Sequence, residues 1–167
     1  MANELALLLR MMEEGFSKKA WHGTNLRGAI RGLSLDEAAW RPSPARHNIW
    51  EIVVHAAYWK YAVRRRLEGG KRGSFALKGS NWFIRSKEMG STLWYENVRL
   101  LEREHRLLRE VVSALPVSKL HTKAPGGAVT ITTLLYGISH HDVYHAGQIQ
   151  VLKRLQRATR TVAVSVP

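Results

Sequence analysis

Apolar residues recur at helical spacing in four long stretches of this chain. Leu5, Leu8, Leu9, Met12 and Phe16 predict a first helix over 2–19. Gly23 interrupts that pattern, and a shorter helical piece follows from Asn25 to Arg31. Ser34-Leu-Asp-Glu37 has the spacing of a capping box and opens one more short turn. Pro42 and Pro44 mark a loop. Asn48-Ile-Trp-Glu51 repeats the box, with Asn as N-cap and Glu at the third helical position. A second long helix runs from there to about Leu67, where Gly69 and Gly70 end it. The segment 69–86 is rich in glycine and charge and reads as a long loop. The third long helix spans Lys87 to Leu115, stopped by Pro116, with Trp94, Val98, Leu101, Leu108 and Val112 as its stripe. After Pro125, Gly126 and Gly127, a fourth begins near Thr130–Thr132 and continues to about Arg157. Residues 159–167 are β-branched and aperiodic, and read as a tail, an edge strand or a partner arm. The expected architecture is all-α: a four-helix bundle over 1–158 with a long connection between helices 2 and 3.

The stripe on the fourth helix changes character midway. At heptad spacing it reads Ile131, Leu134, Ile138, His141, His145, Gln148, Leu152 and Leu155. Three consecutive core positions are polar, and buried polar groups are costly unless they find partners. His141 and His145 lie four apart, which sets two imidazoles on one face about 5–6 Å apart at Cβ. On the second helix, His55 falls in the apolar stripe of Ile52, Trp59 and Ala62. One His from helix 2 and two from helix 4 compose a candidate three-histidine metal site. Neutral imidazoles suit Zn, Ni, Fe or Cu. Three protein ligands leave a position open for water or substrate, the pattern of a catalytic site. The competing reading is three hydrogen-bonded core histidines. The segment His141-Asp-Val-Tyr-His145 lacks the Glu of a zincin helix.

Composition narrows the chemistry. The chain has 167 residues, the size of one domain, and no Cys, which removes disulfides, thiolate ligands and cysteine nucleophiles. Any metal site must therefore be built from His or carboxylates. The formal net charge is +13, and residues 41–87 carry eleven basic and two acidic side chains. Arg64, Arg65, Arg66, Lys71, Arg72, Lys78, Arg85 and Lys87, interleaved with Trp82 and Phe83, suggest a nucleic-acid-binding module. No helix-turn-helix, zinc-finger or RNP signature accompanies them, and cations at a helix end are favourable in any protein. A basic loop that attracts an anionic cosubstrate is a further alternative. No apolar run approaches the roughly 18–20 residues needed to span a bilayer. The charges around Leu5–Leu9 do not resemble a signal peptide, so a cytoplasmic location and no membrane association are expected.

The segment His47-Asn-Ile-Trp-Glu-Ile-Val-Val-His55, followed by Ala-Tyr-Trp59, resembles the second helix of the DinB family. His141-Asp-Val-Tyr-His-Ala-Gly-Gln-Ile149 resembles that family's fourth helix, and Trp21-His-Gly23 and Gly79-Ser-Asn-Trp82 are similar to pieces of one branch. The resemblance implies an up-up-down-down bundle, often a homodimer, holding a divalent ion, commonly nickel or zinc, on His55, His141 and His145. It also implies a small-molecule substrate, with thiol-dependent transferases using low-molecular-weight thiols and hydrolases among the relatives. A bundle whose metal is not catalytic is the remaining alternative. Asp142 is expected at the surface or behind a ligating imidazole. Gln148 either bonds a water on the metal or is a satisfied core residue, and Trp59 either walls the pocket or packs in the core. His105 lies near the third stripe and is a candidate contributor. His140 is expected at the surface, His22 at a helix break with a structural role, and His47 in a loop.

Overall fold

Asn48 shows why the bundle's second long helix starts where it does. Its Oδ1 accepts from the Glu51 backbone N–H while the Glu51 carboxylate accepts from the Asn48 N–H, so two orphan donors are satisfied at once. Ser34 and Glu37 form the same reciprocal box, and Asn25 caps a five-residue helix through the Gly28 N–H. The computed structural model describes residues 2–70 and 75–164, with side chains described for 4–70 and 75–160. Its helices are α1 Ala2–Phe16, α2 Leu26–Ile30, α3 Leu35–Ala39, α4 Ile49–Leu67, α5 Ser91–Ser113 and α6 Ile131–Val164. No strand occurs among the described residues. The four long helices form a bundle in which α4 packs on α5 and α6, and α1 on α6 and α5.

Three boundaries differ by three residues or more from the pattern-based expectation, the first being that α1 ends at Phe16 rather than at 19. Lys87–Met89 is a single 3-10 turn, and Gly90, at φ 84°, resets the backbone before α5 begins at Ser91. α6 continues to Val164, seven residues beyond Arg157, because nothing after Arg157 breaks a helix until Pro167. Residues 165–167 lie outside the described residues, as do Lys71 and Arg72 of the basic block.

The apolar core comes in two clusters. One joins Phe16, Leu26, Ile30, Trp50, Trp94, Leu101 and Ile149. The other joins Leu8, Met12, Val63, Leu108, Val112, Leu135 and Ile138. Where one cluster gives way to the other, every long helix carries polar groups: Glu13 on α1, Lys60 on α4, Glu104 and His105 on α5, Ser139 and Asp142 on α6. Ile131, Ile138, His145 and Leu152 of the heptad stripe on α6 are buried, while the core positions between them fall one residue beyond the stripe, at Leu135, Asp142, Ile149 and Gln156. Leu135 and Ile149 are fully buried, Leu134 is half-buried, and Leu155 is exposed.

Candidate metal centre

His55 projects from the middle of α4, and His141 and His145 from successive turns of α6, so the packing of α4 on α6 brings the three imidazoles together. His141 Nε2 lies 3.2 Å from His55 Nε2 and 3.1 Å from His145 Nε2. Each ring offers a nitrogen, and the three nitrogens lie within 4.8 Å of one another. Bonds of about 2.0–2.1 Å to one tetrahedral ion would space nitrogens about 3.3–3.4 Å apart, within a few tenths of an ångström of these two separations.

The tautomers are set from outside the cluster. His55 Nδ1 lies 2.9 Å from the Asn81 carbonyl, which can only accept, so the proton is on Nδ1 and the lone pair on Nε2. His145 Nδ1 lies 2.7 Å from Gln148 Oε1, and Gln148 Nε2 donates to the Tyr144 hydroxyl at 3.0 Å, so Nε2 of His145 also carries a lone pair. A proton on His141 Nε2 can serve only one of these neighbours and leaves the lone pair of the other without a donor. His141 Nδ1 is buried without a partner among the described residues. This donor set fits a cation shared by the three Nε2 atoms.

Electrostatics favours the neutral ligand form. Burial pushes the His141 pKa down to about 3, helped by the neighbouring His145 and His55. Burial likewise lowers His145 to about 4, against the opposing bond to Gln148, and lowers His55. The imidazoles are therefore uncharged at neutral pH, as metal ligands must be.

The long loop roofs the cluster. Asn81, at φ 63°, is a left-handed position that Asn tolerates, and it turns its carbonyl to His55 and its Oδ1 to Trp59 Nε1 at 3.0 Å. Trp82 stacks on His55 at 3.9 Å and 10°, while its other face stacks on His47 at 3.6 Å and 5°. His47 is in turn fixed by its Nδ1 on Glu51 at 3.0 Å. Trp59 presents its edge to His55 and His141, and Tyr144 to His145, so an aromatic rim surrounds the nitrogens. Trp59 is thus a wall of the site, and Gln148 orients His145.

Several candidates fall elsewhere. Asp142 is 1% exposed and bonded to Lys60, not at the surface, because α1 and α4 cover that side of α6. His105 is buried against Phe16 at 3.8 Å, with Nε2 3.4 Å from Glu13, and does not join the cluster. His22 is exposed, as is His140. In the basic block, Arg64 bonds Glu68 and Glu104, Arg65 bonds Glu68, and Arg85 is buried on Asn97. Trp82 has both faces occupied and Phe83 is in the core, so neither ring is free to stack a base. No pattern marked Asn81 as the carbonyl behind His55. Its only signal was the turn composition of Gly79-Ser-Asn-Trp82.

No helix among the described residues is long and apolar enough to cross a membrane. Comparison with curated proteins and with solved structures yields no match. The family model described as the DinB superfamily matches residues 20–149, and the chain belongs to that superfamily.

Proposed function

We propose that this member of the DinB superfamily is a divalent-metal-dependent enzyme whose ligands are His55, His141 and His145. The observation that carries the reading is the convergence of three Nε2 atoms, two with lone pairs fixed by Asn81 and Gln148. Zinc and nickel are the ions that imidazole ligands and the family resemblance favour. Such an ion, when bound, supplies Lewis acidity to a coordinating oxygen or sulfur of a small molecule. The chain's own contribution is orientation and shielding. Asn81 and Gln148 hold the rings, and Trp59 and Trp82 limit water at the cluster. The Tyr144 hydroxyl, which accepts from Gln148, keeps its proton to donate to a bound molecule. The reaction class is thiol transfer to an electrophile, with a low-molecular-weight thiol as cosubstrate, or hydrolysis. A homodimer in the cytoplasm completes the reading, on the strength of the family resemblance and the absence of Cys.

Elemental analysis of untagged protein tests the ligand set. About one zinc or nickel per chain is expected in the native protein, and a His141→Ala variant of native fold should lose it. Equal, negligible metal in both proteins overturns the assignment. Turnover of a thiol-transfer panel by the metal-loaded protein, absent from His141→Ala, then separates an enzyme from a metal-stabilised bundle.

A further inference from the structure

His55 differs from the other two candidate ligands in what fixes it. His141 and His145 share one helix, so the α6 backbone sets their spacing. His55 stands alone on α4, and its ring is held by two consecutive residues of the long loop. Its Nδ1 lies 2.9 Å from the Asn81 carbonyl, and Trp82 stacks on its face at 3.9 Å and 10°. Asn81 and Trp82 belong to irregular backbone, with no helix or strand to hold them. Their own anchorage therefore decides how firmly His55 is aimed.

That anchorage converges on Glu51, one turn before His55 on α4. The Glu51 carboxylate is buried and gathers several donors. The Asn48 N–H closes the cap of α4 at 3.3 Å, and Arg41 adds a charge at 2.8 Å. The Arg85 backbone N–H, at 3.2 Å, ties down the loop just after Trp82. His47 Nδ1, at 3.0 Å, ties down the ring that covers the outer face of Trp82, stacked at 3.6 Å and 5°. Burial works against the Glu51 charge, but Arg41, His47 and the Arg85 N–H outweigh it and hold its carboxyl below the usual range. At neutral pH Glu51 can therefore only accept, and His47 Nδ1 carries the proton. The His47 side chain is 48% exposed, so its ring serves as a plate on Trp82 and not as part of the core.

We propose that His47 is a positioning residue of the metal centre: braced on Glu51, it clamps Trp82 against His55 and keeps the His55 Nε2 lone pair turned toward His141 and His145. The inference rests on the metal-binding reading above and extends it to a residue that acts only through the indole between. Turning the His55 imidazole about its Cβ–Cγ bond would drive its edge into the indole and break its bond to Asn81. The indole cannot yield while His47 occupies its other face. Groups behind a ligating imidazole set its orientation and its basicity in this way.

Zinc titration of the untagged full chain, in competition with a chromophoric chelator, tests the clamp. His47→Ala should bind zinc about tenfold more weakly than the native protein, the lower end of what changes behind a ligating imidazole cost. His47→Phe keeps the plate without the bond to Glu51 and should stay within about threefold of native. His47→Gln keeps a donor for Glu51 without the plate and should resemble His47→Ala. Ser34→Ala, which removes the matching cap box on α3, controls for lost stability and should bind zinc as the native protein does. The second readout is the His55 Nδ1–H proton, followed by NMR in the metal-free chain. Its exchange with solvent should quicken in His47→Ala and His47→Gln and stay near native in His47→Phe. If His47→Ala does not fold, the contrast between the Phe and Gln variants decides. The proposal is overturned if folded His47→Ala matches the native protein in zinc affinity or in Nδ1–H exchange. It is also overturned if His47→Phe binds no better than His47→Gln. Failure of the native protein to bind zinc is a different result: it overturns the metal-binding reading itself, and the role of His47 with it.

Discussion

His105 stacks on Phe16 with ring planes 16° apart, and its Nδ1 is buried without a partner among the described residues. Burial, with Lys60 and Arg109 nearby, pushes its pKa down to about 2. The folded value lies below the unfolded value near 6.5, so the unfolded chain takes up the proton first. Stability is therefore complete above pH ~6.5 and falls as the pH drops toward the folded value. One such group costs about 2 kcal/mol at pH 5. His141 and His145 act in the same direction in the metal-free chain. The urea midpoint of metal-free protein should therefore fall steadily from pH 7 to pH 5, and His105→Leu should make that fall shallower. An identical pH slope in the two proteins would show that His105 does not titrate on unfolding.

Helix packing turns on how closely backbones approach, and α1 meets α6 at Gly15. A Cβ there would stand 2.9 Å from the Ser139 carbonyl oxygen, a backbone atom with nowhere to go. Gly137, on the exposed side of α6, has nothing within 4 Å of its would-be Cβ. Alanine is the better helix former by about 1 kcal/mol at both positions. Gly137→Ala should therefore raise the folding temperature, whereas Gly15→Ala should lower it, with a net loss of about 1 kcal/mol or more once the clash is relieved. Thermal melts of the two variants check this, and a stabilised Gly15→Ala would show that α1 and α6 are farther apart than described. The starts of α3 and α4 were legible in the sequence, since Ser34, Asn48 and their Glu partners form the boxes their spacing predicts, whereas that of α5 was not. The end of α6 was not, because β-branched residues weaken a helical pattern without breaking the helix.

Across the whole bundle, the most deeply buried charges between the two apolar clusters are Lys60 and Asp142, 2% and 1% exposed and paired at 2.5 Å. Burial raises the Asp142 pKa and the Lys60 ammonium opposes it. Removing one partner strands a charge in the core. Lys60→Met should cost about 3–5 kcal/mol, while Lys60→Met with Asp142→Leu should recover most of that loss. Denaturant titrations of single and double variants measure the coupling, and additive losses would show that the two residues act independently. A bound ion should act on the same scale. At a hundredfold excess over its dissociation constant, zinc should stabilise the native chain by about 2.7 kcal/mol and leave His141→Ala unmoved.

Local sequence suffices for the four long helices, the caps that start α4 and the short α3, and the two helix faces that carry His55, His141 and His145. These follow from local periodicity and from side chains bonding their own backbone a few residues away. Which way the rings face, and what holds them, depends on contacts between elements distant in the chain. On α6 the buried positions run four and three apart from Ile131, so Leu135, Asp142, Ile149 and Gln156 turn inward and Leu155 stays exposed, a phase selected by packing against α1 and α4. The proton positions on His55 and His145 depend on the Asn81 carbonyl and on Gln148, and the ring of His55 on Trp82. Asn81 and Trp82 belong to a loop without periodicity, so their distance from His55 was fixed only when that loop packed against α4. The chemistry of the candidate site is written locally in three histidines, and its competence is set by groups far from them along the chain.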